Sequence, residues 1–99
     1  MELEVGQVVF SKAGRGKGNA FIIVSLERTR DGEFAYIADG KARLLAAPKK
    51  KKIKHLQPAR HVDPSIKDAI INGRHIKDSD IRYALKDMDK KELGGASNG

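Results

Sequence analysis

Apolar residues along the first half of the chain fall in short runs, dense in β-branched types and separated by glycine or charge. Gln7 to Phe10 ("QVVF") and Ala20 to Leu26 ("AFIIVSL") are the clearest. The second is apolar on both faces, as a central strand would be. Glu33 to Asp39 ("EFAYIAD") alternates, with Phe34, Tyr36 and Ala38 on one side and Ala35 and Ile37 on the other. Asp31-Gly32 marks a hairpin turn before it, and Asp39-Gly40 a second tight turn after it. Beyond that turn, Lys41 to Leu45 ("KARLL") predicts a fourth strand. After the interruption at Pro48, Lys51 to Leu56 ("KKIKHL") predicts a short edge strand. Lysine suits an edge because its charge discourages pairing with other chains. Five short strands joined by tight turns predict a mainly β fold, a small, strongly bent SH3-like barrel rather than a flat sheet.

The period changes after "QPARHVDP". Asp63 caps a helix start and Pro64 suits the first helical position, with Ile66 and Ile70 on one face and Asn72-Gly73 at the end. A second start follows at Asp78, Ser79 and Asp80, and Ile81, Leu85 and Met88 then recur at helical spacing. The acids at that start favour the helix dipole. The expected organisation is therefore a barrel over 1–58, a helical appendage of two short helices over 59–93, and a frayed, disordered tail over 94–99. Each helix carries one apolar stripe, which either docks on the barrel or forms a partner surface.

Composition narrows the chemistry. With 99 residues, 39% of them hydrophobic and 5% aromatic, one domain with a limited core is expected. The absence of cysteine removes disulfides, thiolate zinc sites and a cysteine nucleophile. No apolar run approaches the roughly 20 residues of a membrane span, and the acidic start "MELEVGQ" is unlike a signal peptide. A soluble, cytoplasmic monomer is the expectation. The net charge of +7 is unevenly spread: −1 over 1–40, +8 over 41–60 and 0 over 61–99. One segment thus carries the whole excess, the footprint of a polyanion site unless solvent alone compensates it.

The stretch "SKAGRGKGNAFIIV" (Ser11 to Val24) places Gly14, Gly16 and Gly18 among Lys12, Arg15 and Lys17. A Walker-type phosphate loop needs Ser or Thr after Lys17 and a helix next; Gly18 and a β-run follow instead. The dinucleotide fingerprint fails on spacing. A strand–loop–strand remains, either a structural turn or one whose glycines let backbone N–H groups approach phosphate oxygens.

"VGQVVFSKAGRGKGNAFIIV" resembles the KOW motif: a strand, a basic glycine-bearing loop with a Lys-Gly pair (Lys17-Gly18), then a hydrophobic strand. The likeness continues through "YIADGKARLL" and "PKKKKIKHL". The fuller pattern, about Glu4 to Gln57, is similar to KOW-containing large-subunit ribosomal proteins of archaea and eukaryotes and to their bacterial relatives. The resemblance implies an SH3-like barrel that binds structured RNA, usually ribosomal, through its first long loop and adjoining basic edge. Lys12, Arg15, Lys17 and Gly18 would lie in the contact loop. Lys41, Arg43, Lys49, Lys50, Lys51, Lys52 and Lys54 would form the basic portions. The two C-terminal helices depart from the ribosomal pattern.

No catalytic or metal site is expected. His55, His61 and His75 are too far apart for one helical turn, and no serine has a nucleophile context. His55, in the basic segment, reads either as a phosphate contact or, preferably, as packing by its ring. An RNA-binding protein, ribosomal or ribosome-associated, without cofactor, is the leading expectation. Four to six phosphate contacts would make log affinity fall by about 3 to 5 per tenfold rise in salt. Most of the five aromatic residues are expected in the core, which leaves little for base stacking. The alternative is an adaptor binding an acidic protein partner, or a ribosomal protein, through Ile81, Leu85 and Met88. Attraction of the lysine run to anionic lipid is weaker, since Pro48 breaks any amphipathic helix there.

Overall fold

The computed structural model describes residues 2–12, 14, 17–86 and 88. Five antiparallel strands form one sheet: β1 (Gln7–Ser11), β2 (Ala20–Thr29), β3 (Gly32–Ala38), β4 (Lys49–Lys52) and β5 (Leu56–Val62). Their order is β4-β3-β2-β1-β5, which puts the doubly apolar β2 in the centre and the lysine strand β4 on an edge. A single 3-10 turn, Ile53–His55, joins β4 to β5 although they lie on opposite edges. Four strand steps across a flat sheet span ~19 Å, whereas the link from Lys52 to Leu56 reaches at most ~14 Å. The sheet must therefore curl. Irregular register supplies the bend, in β2 between Ile23 and Ser25 and in the β1–β5 pair between Gln7 and Val9. The sheet nevertheless stays open, because β4 and β5 do not pair with one another.

The expected strand at Lys41 to Leu45 is absent. Lys41 to Arg43 form bends and Leu45 enters a turn, because Asp39 N–H and Gly40 N–H both turn back onto the Arg43 carbonyl, at 2.9 and 3.0 Å. The final lysine-rich run divides at the 3-10 turn into β4 and β5. "QPARHV" completes β5, so strand pairing extends past the expected barrel boundary at 58 to Val62. The turn between β2 and β3 is Arg30-Asp31, with Gly32 already paired to Thr29.

Alternation divides the core in two. Val9, Phe21, Ile23, Ala35, Ile37 and Leu56 pack on the concave side, with Leu3, Val5 and Ile53 against them. Val8, Phe10, Ala20, Ile22 and Ala59 face the other way, where Ile66, Ile81 and Met88 cover them. Both helices are thus docked: α1 (Pro64–Ile71) and α2 (Asp78–Leu85) share a core with the sheet. The Asp63 carboxylate accepts from Ile66 N–H at 3.0 Å, the cap that the sequence predicts. At the far end, Gly73 N–H reaches the Ile70 carbonyl and Arg74 N–H the Ala69 carbonyl, a paired closure that needs the left-handed Gly73 (φ 68°). Asp80 accepts from Lys77 N–H at the start of α2, at 2.9 Å. The expected tail over 94–99 lies outside the described residues.

Candidate nucleic-acid interface

Antiparallel pairing decides which loops meet. Phe10 pairs with Ala20, Ile22 with Ala38, Ile37 with Lys49, and Ser11 with Leu56. One end of the sheet therefore gathers the β1–β2 loop (12–19), the β3–β4 loop (39–48) and the start of β5. These segments hold Lys12, Lys17, Gly18, Lys41 and Arg43, whereas Lys54, in the 3-10 turn, lines a depression with Lys52, Asp31 and Glu33 toward the other end. The opposite end, at the β2–β3 hairpin, holds Glu27, Asp31 and Glu33. A shallow depression there is lined by Glu2, Glu27, Arg28 and Glu33 around Leu3, Leu26, Phe34 and Ile53.

The glycine-bearing loop is built by short backbone bonds. Gly18 N–H donates to the Ser11 carbonyl at 2.8 Å, and Ser11 N–H to the Asn19 carbonyl at 3.2 Å. Lys17 N–H donates to the Gly14 carbonyl at 3.2 Å. Gly14 and Gly18 take φ of 78° and 87°, a region that side-chain-bearing residues avoid. Lys12 and Lys17 are exposed on this loop. Arg15, the third cation expected there, lies outside the described residues.

The lysine strand comes to the same place. Lys12 N–H donates to the His55 carbonyl at 2.9 Å, fastening the loop to the 3-10 turn that carries Lys54. Lys51 shares a side of the sheet with Ala35, its partner in register. Its ammonium lies 3.7 Å from where a Cβ on Gly14 would sit. Partial burial, and then the neighbouring charge of Lys49, hold the Lys51 pKa below the usual lysine value. Two cationic segments distant in sequence are thus neighbours in space.

β4 does not present its lysines as one row. Successive strand residues point to opposite faces, so Lys50 and Lys52 face away from Lys49 and Lys51. Lys50 Nζ sits 4.6 Å from the Phe34 ring centroid and 3.3 Å from a Glu27 carboxylate oxygen. The same carboxylate oxygen accepts from the Tyr36 hydroxyl at 2.7 Å. That bond, followed by the one with Lys50, lowers the Glu27 pKa, and it correspondingly raises that of Tyr36. Lys50 is therefore already partnered within the chain. Lys52 stands opposite Phe34 in register, on the Lys50 side.

Three expectations need correction. Only Phe10 and Phe21 among the aromatic residues are buried; Phe34 and Tyr36 are half-buried and Tyr83 is 73% exposed. His55 is exposed rather than packed by its ring. Ile81 and Met88, offered as a partner surface, are core residues, and Leu85 packs against the same core. The last follows from docking of α2, which turns its aliphatic side chains onto the sheet and leaves Tyr83 exposed.

Among the described residues, no three His, Asp or Glu side chains form a group that would hold a metal ion. No helix among them is long and apolar enough to cross a membrane. In comparison with known proteins, no family model and no curated protein matches this chain.

Proposed function

We propose that this chain is an RNA-binding protein, ribosomal or ribosome-associated, whose contact surface is the cationic end of its sheet. Five short strands in one strongly curled sheet support reading the fold as an SH3-like barrel of the KOW type, left open between β4 and β5. The observation that carries the functional reading is the proximity of the Lys51 ammonium to the Gly14 segment. It brings the basic edge and the glycine-bearing loop onto one rim.

On that rim Lys12, Lys17, Lys49 and Lys51 supply charge for phosphate oxygens. Such contacts read backbone shape rather than sequence, and RNA in particular is chosen by the KOW resemblance, since duplex DNA would satisfy the charge equally. Titration of a structured RNA over a salt series tests the proposal, using the wild type and a variant with all four β4 lysines changed to Gln. The wild type should lose about 3 to 5 in log affinity per tenfold rise in salt. The variant should bind weakly with a shallower slope while keeping its circular dichroism. Salt-independent binding by the wild type would reject the mechanism.

The adaptor reading loses its expected surface, because the aliphatic stripe of α2 lies against the sheet.

A further inference from the structure

The β3–β4 loop begins with a turn of unusual fixity. Asp39 Oδ1 accepts from Lys41 N–H at 2.8 Å and from Arg43 N–H at 2.9 Å. Asp39 and Gly40 N–H in turn donate to the Arg43 carbonyl. Lys41, Ala42 and Arg43 are left exposed at the tip.

Helix α2 grips this turn from both flanks. Arg82 Nη1 donates to the Gly40 carbonyl at 2.7 Å, and Asp78 Oδ1 accepts from Leu45 N–H at 2.7 Å. Between these bonds the two backbones touch. A Cβ on Gly40 would lie 2.5 Å from the Asp78 carbonyl oxygen and 2.9 Å from Arg82 Cγ, and Gly40 has φ 76°. The helix itself is immobilised by Ile81, fully buried among Val8, Phe10 and Ile22.

A loop that must be ordered on binding loses affinity to conformational entropy, and one ordered beforehand does not. We infer that α2 is a brace that holds the Lys41–Arg43 turn in place as a second set of phosphate contacts on the same RNA. Gly40, Asp78 and Arg82 are then positioning residues. The C-terminal half becomes a working part of the interface, and the inference rests on the RNA-binding reading above.

The test titrates a synthetic RNA hairpin over a salt series with four proteins: wild type, Lys41→Gln/Arg43→Gln, Gly40→Ala, and the three changes combined. Removing two phosphate contacts should lower the salt slope by about 1.4 to 1.8. Gly40→Ala alters no charge, yet it should reproduce at least half of the lost log affinity and speed amide exchange at Lys41 and Arg43. The combined variant should bind no more weakly than Lys41→Gln/Arg43→Gln, since the backbone and side-chain changes disable the same two contacts. If Gly40→Ala loses its circular dichroism, Asp78→Ala takes its place, removing the Leu45 bond together with one negative charge; the charge change by itself would strengthen binding to RNA, so weaker binding still reports the brace.

Wild-type binding by Lys41→Gln/Arg43→Gln would overturn the inference, as would a fully additive Gly40→Ala loss. Should those variants bind normally while the β4 lysine variant does not, only the brace falls. Absence of salt-dependent RNA binding in the wild type removes both readings.

Discussion

The ammonium of Lys51 lies beside Gly14, 3.7 Å from where a Cβ there would sit, so the lysine strand and the first loop of the sheet are neighbours. Lys50, its neighbour in sequence, turns to the other face and is engaged by Glu27 and Phe34. Adjacent residues of identical type thus have different surroundings, and the difference can be measured.

Lys51→Gln should lower the salt slope of RNA binding by about 0.7 to 0.9, the loss of one phosphate contact. Lys50→Gln should leave that slope unchanged. Parallel titrations decide it, and equal effects of the two variants would contradict a rim built around Lys51.

The Glu27–Tyr36 bond should be visible in titration. Glu27 has its pKa lowered in the folded protein, so its contribution to stability is present above the unfolded value of 4.5 and is lost as pH falls through the folded value. Tyr36 is raised, so its contribution holds below 10.0 and disappears as pH rises through the folded value. Tyr36→Phe should move the Glu27 carboxyl upward, with the Lys50 contact holding it partly down. Carboxyl NMR shifts against pH give the answer, and an unmoved Glu27 would show that the hydroxyl is not its partner.

Glycine positions should differ in cost by what surrounds them. Gly6 has φ 87°, and a Cβ there would fall 2.8 Å from Lys67 Cβ, in the first turn and a half of α1. Gly73 also has positive φ, yet a Cβ there would meet nothing within 4 Å. Gly73→Ala should cost about 1 to 2 kcal/mol, the backbone penalty alone. Gly6→Ala should cost at least ~1 kcal/mol more, since α1 must shift away from the sheet. Urea unfolding would measure both, and equal losses would refute the close contact.

Two isoleucines test the docking of the helices. Ile81→Ala in α2 should destabilise by about 2 to 5 kcal/mol, because its side chain is fully buried beneath the sheet. Ile71→Ala at the end of α1 should change stability by no more than ~0.5 kcal/mol, since Ile71 is 63% exposed. Thermal unfolding gives the comparison.

Much of this architecture is legible from local chemistry. The doubly apolar run at Ala20 to Leu26 marks the central strand, because a strand covered on both faces buries successive side chains, as Ala20 to Ile23 do. Phe34, Tyr36 and Ala38 share a face simply because strand residues alternate. Asp63, Pro64 and the Asn72-Gly73 end delimit α1, since caps and left-handed glycine act within one turn of backbone. The localised charge between residues 41 and 60 is equally plain, for it needs no fold to be counted.

What lies beyond that reach is everything set by partners distant in the chain. Lys41 to Leu45 has strand-like residues but bends, because Asp39, Gly40 and α2 offer its backbone better hydrogen bonds than a neighbouring strand does. The polar run "QPARHV" pairs as β5 because β1 lacks a second partner and the sheet curls toward it. The division of the lysines, Lys51 toward Gly14 and Lys50 toward Glu27, depends on the register of β4 against β3. A charge's identity is local, but its surroundings are set by every strand and helix packed around it, and only the folded chain brings those together.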